Sequence, residues 1–298
     1  MTSTLDSIAA KLAAGDALDA SDSQALVAAP DLVGLGMLAE DLRRARHGDR
    51  VTFLRVAHLR VADAAGGAPI PGTAGEARLE GAPASLDEAV EAVRAVRRRV
   101  GPVPLAAFSL EQLAELAARD GMTLVDCLSQ LRAAGLERVA AAPLDWAGLA
   151  AAADAARVAD VEVSRLVVRD PGSDWLAALH QLAARSNGHR SVRVLSPLPL
   201  DVSPESPTTG YDDLKRVAVA RMMVARHVDS IQVDWAAYGP KLAQVALTFG
   251  ADDVDNVSVV EDPAMGPRRG ALAEMRRNIE AAGLVPVERN GRWEPTTS

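Results

Sequence analysis

The chain predicts an α/β fold, a (β/α) barrel, complete or partial and TIM-like, preceded by an N-terminal helical segment. Three observations lead there. From residue 51 onward, short β-rich runs alternate with amphipathic helical stretches, the pattern of parallel βαβ units. About seven such units follow one another, which favours a barrel over a doubly wound sheet. No GxGxxG follows the first strand to mark a dinucleotide-binding sheet.

The elements follow in order. Residues 5–46 carry apolar positions at helical spacing, with Ser21 or Asp22 as the cap of the second helix. Residues 51–56 are the first strand, after a Gly-Asp turn. Residues 61–77 are rich in Gly, Pro and Ala without a period, and predict a loop. A short strand at 77–81 precedes a helix ending at Arg99, where Ser85 and Glu88 have capping-box spacing. Further strands are expected at 103–108, 137–142, 161–168, 192–195, 230–235 and 257–260. Helices are expected at 109–118, 123–134, 145–157, 174–185, 212–226, 240–249 and 270–282. Ser109 is placed to cap its helix, Gly135 to end one, and Pro240 to start one. A single domain is expected over residues 1–298: a helical cap at 1–49, the barrel at 50–262, and a C-terminal helix and tail at 263–298.

Composition narrows the function classes. Hydrophobic residues are 49% and aromatics only 3%, so the core must be filled with Ala, Leu and Val. The net charge of −8 argues against a broad nucleic-acid footprint. The basic run Arg97-Arg98-Arg99 ends a helix, where it complements the dipole. No apolar segment is long enough to span a bilayer, and the N-terminus has no basic region leading into an apolar one. One cysteine excludes an intrachain disulfide framework, and a cytoplasmic location is the expectation.

Four blocks point to a family. The main one is residues 210–256, GYDDLKRVAVARMMVARHVDSIQVDWAAYGPKLAQVALTFGADDVDN; the others are residues 5–56, 106–139 and 278–294. Together they resemble the radical S-adenosylmethionine enzymes of the futalosine route to menaquinone, aminofutalosine synthase and dehypoxanthine futalosine cyclase. In that family the loop after the first strand carries CxxxCxxC, whose three thiolates hold a 4Fe-4S cluster, and the unique iron binds S-adenosylmethionine. Here the equivalent loop, VADAAGGAPIPGTAGEA at residues 61–77, contains no cysteine. Gly81-Ala82-Pro83 stands where the family has a Gly-Gly turn that meets the cofactor, and Pro83 offers no backbone N–H. The family's Gly-His-x-Glu strand end has Val168-Arg169-Asp170-Pro171-Gly172 as its counterpart. After the last strand, Glu261-Asp262-Pro263 leads to Met265-Gly266-Pro267 without the family's histidine. The resemblance thus implies a degenerate member, with cluster and S-adenosylmethionine binding lost and no cofactor expected.

In such barrels the chemistry lies at the C-terminal ends of the strands. That rule selects Asp170, Glu80 and Asp234 as candidate catalytic groups, and His58, Ser109, Asp201 and Lys241 as candidate ligand-binding groups. Each has a plainer reading: Ser109 as a cap, Asp201 as the start of a turn, Lys241 as a solvated side chain, His58 as a loop histidine just past the first strand. The acids of Ala251-Asp252-Asp253-Val254-Asp255 lack EF-hand spacing and are read as a structural turn. None of the five histidines pairs with another His or with Cys at metal-ligand spacing, so no metal site is expected. Cys127 lies in a helix among apolar neighbours and is read as a buried structural thiol. Arg268-Arg269 with Arg276-Arg277 form a basic cluster, read as a solvated helix face.

Three functions follow from these expectations. The first is a cluster-free, non-catalytic protein of the futalosine pathway that binds a futalosine-type small molecule, or pairs with an intact radical paralogue or with itself. The second is a cluster-independent lyase, hydrolase or isomerase that uses the carboxylates at the strand ends. The third, radical chemistry with cysteines from another chain, requires three outside ligands to replace one local loop.

Overall fold

The computed structural model describes residues 4–67, 69–170, 172, 174–185, 193–200, 208–260 and 271–296. Three helices come first: α1 (Thr4–Ala14), α2 (Ala20–Ala28) and α3 (Leu32–His47). Strands β1 (Arg50–Arg60) and β2 (Glu76–Glu80) lead into α4 (Leu86–Val100), β3 (Leu105–Ser109), α5 (Leu110–Arg119) and α6 (Leu124–Ala134). Next are β4 (Arg138–Pro143), α7 (Leu149–Val158), β5 (Glu162–Val163), β6 (Leu166–Val168), α8 (Trp175–Arg185) and β7 (Val194–Pro199). The chain continues with α9 (Gly210–Val224), β8 (Ser230–Asp234), α10 (Trp235–Ala246), β9 (Asp253–Ser258), α11 (Ala271–Ala281) and β10 (Val285–Arg289).

The strand order is β10-β1-β2-β3-β4-β6-β7-β8-β9, with β5 on β4 and a further pairing of β9 with β1. The ladders β1–β2, β2–β3, β3–β4, β4–β5 and β7–β8 are parallel. This is the (β/α) barrel that the alternation of elements predicts. By contact the fold divides into two compact units: Met1–Thr52, Val167–Val254 and Glu274–Pro286 form the first, and Phe53–Leu166, Asp255–Ala273 and Val287–Ser298 the second.

In the first unit α3 packs along α9, burying Leu35 and Ala39 of one and Val217, Ala218, Ala220 and Val224 of the other. Its interior carries a polar network, although Arg221 Nη1 is buried without a hydrogen-bond partner. Ser196 Oγ donates to Gln232 Oε1 (2.9 Å), Gln232 Nε2 to Asp253 Oδ2 (2.7 Å), and Thr52 Oγ1 to Asp253 Oδ1 (2.5 Å). Arg221 donates to the Gly250 carbonyl (2.7 Å) and to the Asp252 carboxylate, which also accepts the Ile231 N–H (2.9 Å). Gly250 has φ +100° and a Cβ there would lie 2.9 Å from the Arg221 Cβ, so both conformation and space require glycine.

In the second unit, Ala77, Leu79, Leu105, Ala107 and Val139 form the buried strand face, and Ala89, Val93 and Val96 of α4 are buried helix residues. Each fully buried Val or Leu contributes about 1.5–3 kcal/mol. Ser85 accepts the Glu88 N–H, but the expected box is left half made, because the Glu88 carboxylate accepts from the Ala84 N–H instead of the Ser85 N–H. Ser109 and Gln112 form a complete capping box, and Gly135 ends α6 with φ +111°. Arg97 bonds the carbonyls of Gly135, Gly101 and Val103 as well as Glu137, in keeping with a helix-end rather than a phosphate role.

Several expectations are corrected. The cap of α2 is Asp19, with Asp22 three residues inside the box, because Asp19 has the extended backbone a cap needs. The strand expected at 161–168 is two pieces, β5 and β6; the Ser164 N–H bonds the Val139 carbonyl and the Arg165 carbonyl accepts the Ala142 N–H. β1 runs to Arg60, held by the Arg60↔Glu80 register, so His58 lies within the strand. Asp253 and Asp255 are not in a turn but in β9, where hydrogen bonds and arginines offset the cost of burying carboxylates. The C-terminal tail contains a strand, β10, beside β1. Pro240 does start a helical segment, after a break at Gly239 (φ +75°).

Candidate functional site

In β2 the sequence Glu76-Ala77-Arg78-Leu79-Glu80 alternates charged and apolar residues. A strand turns alternate side chains to opposite faces, so Ala77 and Leu79 enter the core while Glu76, Arg78 and Glu80 share the other face. Arg78 is 4% exposed, Glu76 2% and Asp255 0%. Burial at that level requires compensation, and the guanidinium supplies it. Its Nε and Nη2 donate to Glu76 Oε1 (3.0 and 2.7 Å), Nη1 and Nη2 to the two oxygens of Asp255 (3.0 and 3.1 Å), and Nη1 to Asn256 Oδ1 (2.8 Å). Arg165 bonds Asp255 as well. Asn256 has φ +59°, a conformation Asn tolerates better than most residues.

At the C-terminal end of the same strand pair, His58 Nδ1 lies 2.6 Å from Glu80 Oε1. The pair is half exposed, 41% for His58 and 50% for Glu80. The hydrogen bond from His58 holds the Glu80 carboxyl below the usual carboxylate range, with Arg78 and Arg165 adding to the effect. The structure therefore brings together two residues singled out separately in the sequence and joins them to a buried charge array. Glu76, Arg78, Arg165, Asp255 and Asn256 were missed; the period-two charge pattern of β2 and β9 was the available signal.

The other candidates lie elsewhere. Ser109 is the cap of α5, its Oγ accepting the Gln112 N–H at 3.1 Å. Asp234 caps α10 through the Ala237 N–H (2.9 Å). Lys241 is exposed on α10, and Asp170 is exposed just after β6. Asp201, with His189, the segment 261–267 and Arg268-Arg269, lies outside the described residues. Also in the first unit, the Tyr238 hydroxyl donates to the Pro199 carbonyl at 2.5 Å, and burial raises its pKa.

The resemblance implies an iron–sulfur cluster in the loop after β1, and the residues present do not fit one. That loop opens with a 3-10 turn at Val61–Asp63, tied down by Arg60 to Asp63 (2.7 Å) and by Arg99 to the carbonyls of Asp63 and Ala64 (3.1 and 3.0 Å). It offers no thiol. Cys127, the sole cysteine, is buried in α6 with Sγ 4.0 Å from the Leu113 carbonyl. Burial pushes its pKa up to about 11, with Asp120 adding, whereas cluster iron is held by thiolate. Among the described residues no group of three or more His, Cys, Asp or Glu could hold a metal ion.

Comparison with known proteins agrees with this fold and with the sequence resemblance. Residues 202–298 match the family described as the CofH/MqnC C-terminal region. The 5-amino-6-(D-ribitylamino)uracil–L-tyrosine 4-hydroxyphenyl transferase 2 of Methanosarcina acetivorans is 23% identical over 243 residues, 70% of this chain and 63% of that protein. The aminodeoxyfutalosine synthase of Thermus thermophilus is 40% identical over 91 residues, 29% of this chain and 24% of that protein. The chain thus spans less than two thirds of the length of these relatives. Among solved structures, methylornithine synthase superposes with TM-score 0.60 at 17% identity, covering 94% of this chain and 97% of the other. The FeFe-hydrogenase maturase HydG from Carboxydothermus hydrogenoformans gives 0.64 at 13% identity, covering 95% and 79%. The barrel is the fold of these enzymes, and over its C-terminal segment the chain is CofH/MqnC-like.

Proposed function

We propose that this chain is a cluster-free, radical-SAM-like protein of the futalosine branch of menaquinone biosynthesis, which binds a futalosine-type small molecule or a protein partner and does no radical chemistry. One observation carries the reading: the loop that would hold the iron has no thiol, and the lone cysteine is a buried, protonated helix residue. The match of residues 202–298 and the likeness to an aminodeoxyfutalosine synthase support the pathway. His58 and Glu80, at the ends of β1 and β2, are the side chains assigned to the ligand. The partner is an intact radical paralogue or a second copy of this chain, and the setting is the cytoplasm.

Anaerobic reconstitution with iron and sulfide tests the reading. The expected result is no stoichiometric cluster, no reductive cleavage of S-adenosylmethionine, and the same outcome for Cys127→Ser. A four-iron cluster that cleaves S-adenosylmethionine overturns it. A thermal-shift titration with futalosine-type nucleosides tests the ligand. At a hundredfold excess over Kd, binding adds about 2.7 kcal/mol of stability, and an unchanged melting curve rejects the ligand. A cluster-independent acid–base activity is the second reading, favoured by the His58–Glu80 hydrogen bond.

A further inference from the structure

We propose that His58 and Glu80 form a proton-accepting dyad in which Nε2 of His58 takes the proton and Glu80 positions the ring. Its substrate class is a small molecule presenting an acidic O–H or N–H, of the enol, phenol or imide kind, at the C-terminal ends of β1 and β2. The proposal rests on the cluster-free reading in placing the ligand at these strand ends.

The protonation pattern follows from the partner. Glu80 is ionised and can only accept, so a neutral His58 must carry its hydrogen on Nδ1, 2.6 Å from the carboxylate. The lone pair is then on Nε2. Among the described residues no group bonds that nitrogen, and the side chain is 41% exposed, so a ligand reaches it. Both residues stand on paired strands, with His58 opposite Arg78 and Arg60 opposite Glu80 in the register. Strand positions hold a side chain more rigidly than a loop does.

Opposite charges meet around the pair. Glu76, Glu80 and Asp255 face Arg78 and Arg165, three carboxylates against two guanidiniums. Arg60 is offset by Asp63, and Arg55 by Glu288. In the proposed step an N–H bond forms at Nε2, the ligand's O–H or N–H bond breaks, and the electron pair stays on the ligand as enolate, phenolate or imidate. The reverse step returns the proton to product or water, and no oxidant or reductant is needed. A purely structural purpose explains the pair less well, because a polar contact this exposed adds little stability.

Nitrogen-15 NMR of the intact chain tests the assignment. Neutral His58 is expected with its hydrogen on Nδ1, and Glu80→Ala moves the population to the Nε2–H form. Ethoxycarbonylation by diethyl pyrocarbonate, mapped by mass spectrometry, gives a second readout. His58 is expected to react faster than His47, His180 and His227, and Glu80→Ala to slow it by about tenfold. Circular dichroism and melting of Glu80→Ala confirm that the fold is kept. A hydrogen on Nε2 in the intact protein, or a modification rate unchanged in Glu80→Ala, overturns the dyad. A reconstituted cluster would instead defeat the cluster-free reading and leave these His58 readouts unchanged, so the two failures are distinguishable.

Discussion

Removal of the Arg78 guanidinium tests the charge array beneath the strand-end pair. Arg78→Met keeps much of the apolar stem volume and deletes all five hydrogen bonds to Glu76, Asp255 and Asn256. Asp255 keeps Arg165, but Glu76, 2% exposed, is left as a buried carboxylate facing no cation. Breaking one side of a buried pair costs about 3–5 kcal/mol, chiefly through the stranded charge. Against the roughly 5–15 kcal/mol that holds a domain folded, this is a large fraction. Urea denaturation at pH 7, followed by circular dichroism, should show a loss of that size. The double variant Arg78→Met/Glu76→Gln should recover at least about 1 kcal/mol, because the amide removes the charge. A single-variant loss below about 1 kcal/mol, or no recovery in the double, would refute the reasoning.

Two further outcomes are expected. His47 is pulled down from 6.5 to about 4 by burial first and then by Arg221, with Arg46 and Arg43 adding, against the Asp229 carbonyl at 3.0 Å, which favours the charged ring. Between those pH values the unfolded chain binds the proton and the folded one does not, so stability is full above pH 6.5 and falls toward pH 4 by up to about 3 kcal/mol. Urea midpoints across that window should flatten in His47→Gln; equal slopes in the two proteins would count against it. Ser109→Ala should cost about 1 kcal/mol through the lost cap and leave the His58 tautomer untouched. A changed tautomer with unchanged stability would return Ser109 to the site.

The candidate site was only partly legible. His58 and Glu80 were selected from the strand-end rule, but their contact depends on the register of β1 against β2, which spacing alone does not specify. His58 falls beyond the strand expected at 51–56, because residues 57–60 carry no strong strand signal; pairing with β2 extends β1 to Arg60. Asp253 and Asp255 fall before the strand expected at 257–260, because acids are disfavoured in strands unless partners are supplied. Asp255 finds its partners 177 and 90 residues away, and Asp253 is bonded by Thr52, 201 residues away.

By itself the sequence determined the alternation of strands and helices, the caps at Ser85 and Ser109, the helix start at Pro240, and the missing thiols of the loop after β1. These depend on composition or on interactions within one or two helical turns, where neighbours in the chain are neighbours in space. Tertiary structure alone decided which buried charges meet, that His58 faces Glu80, and that β9 carries its acids inward. Those contacts join strands far apart in the chain, and the cost of burying each charge is met only once the strand order brings its partner within hydrogen-bond reach.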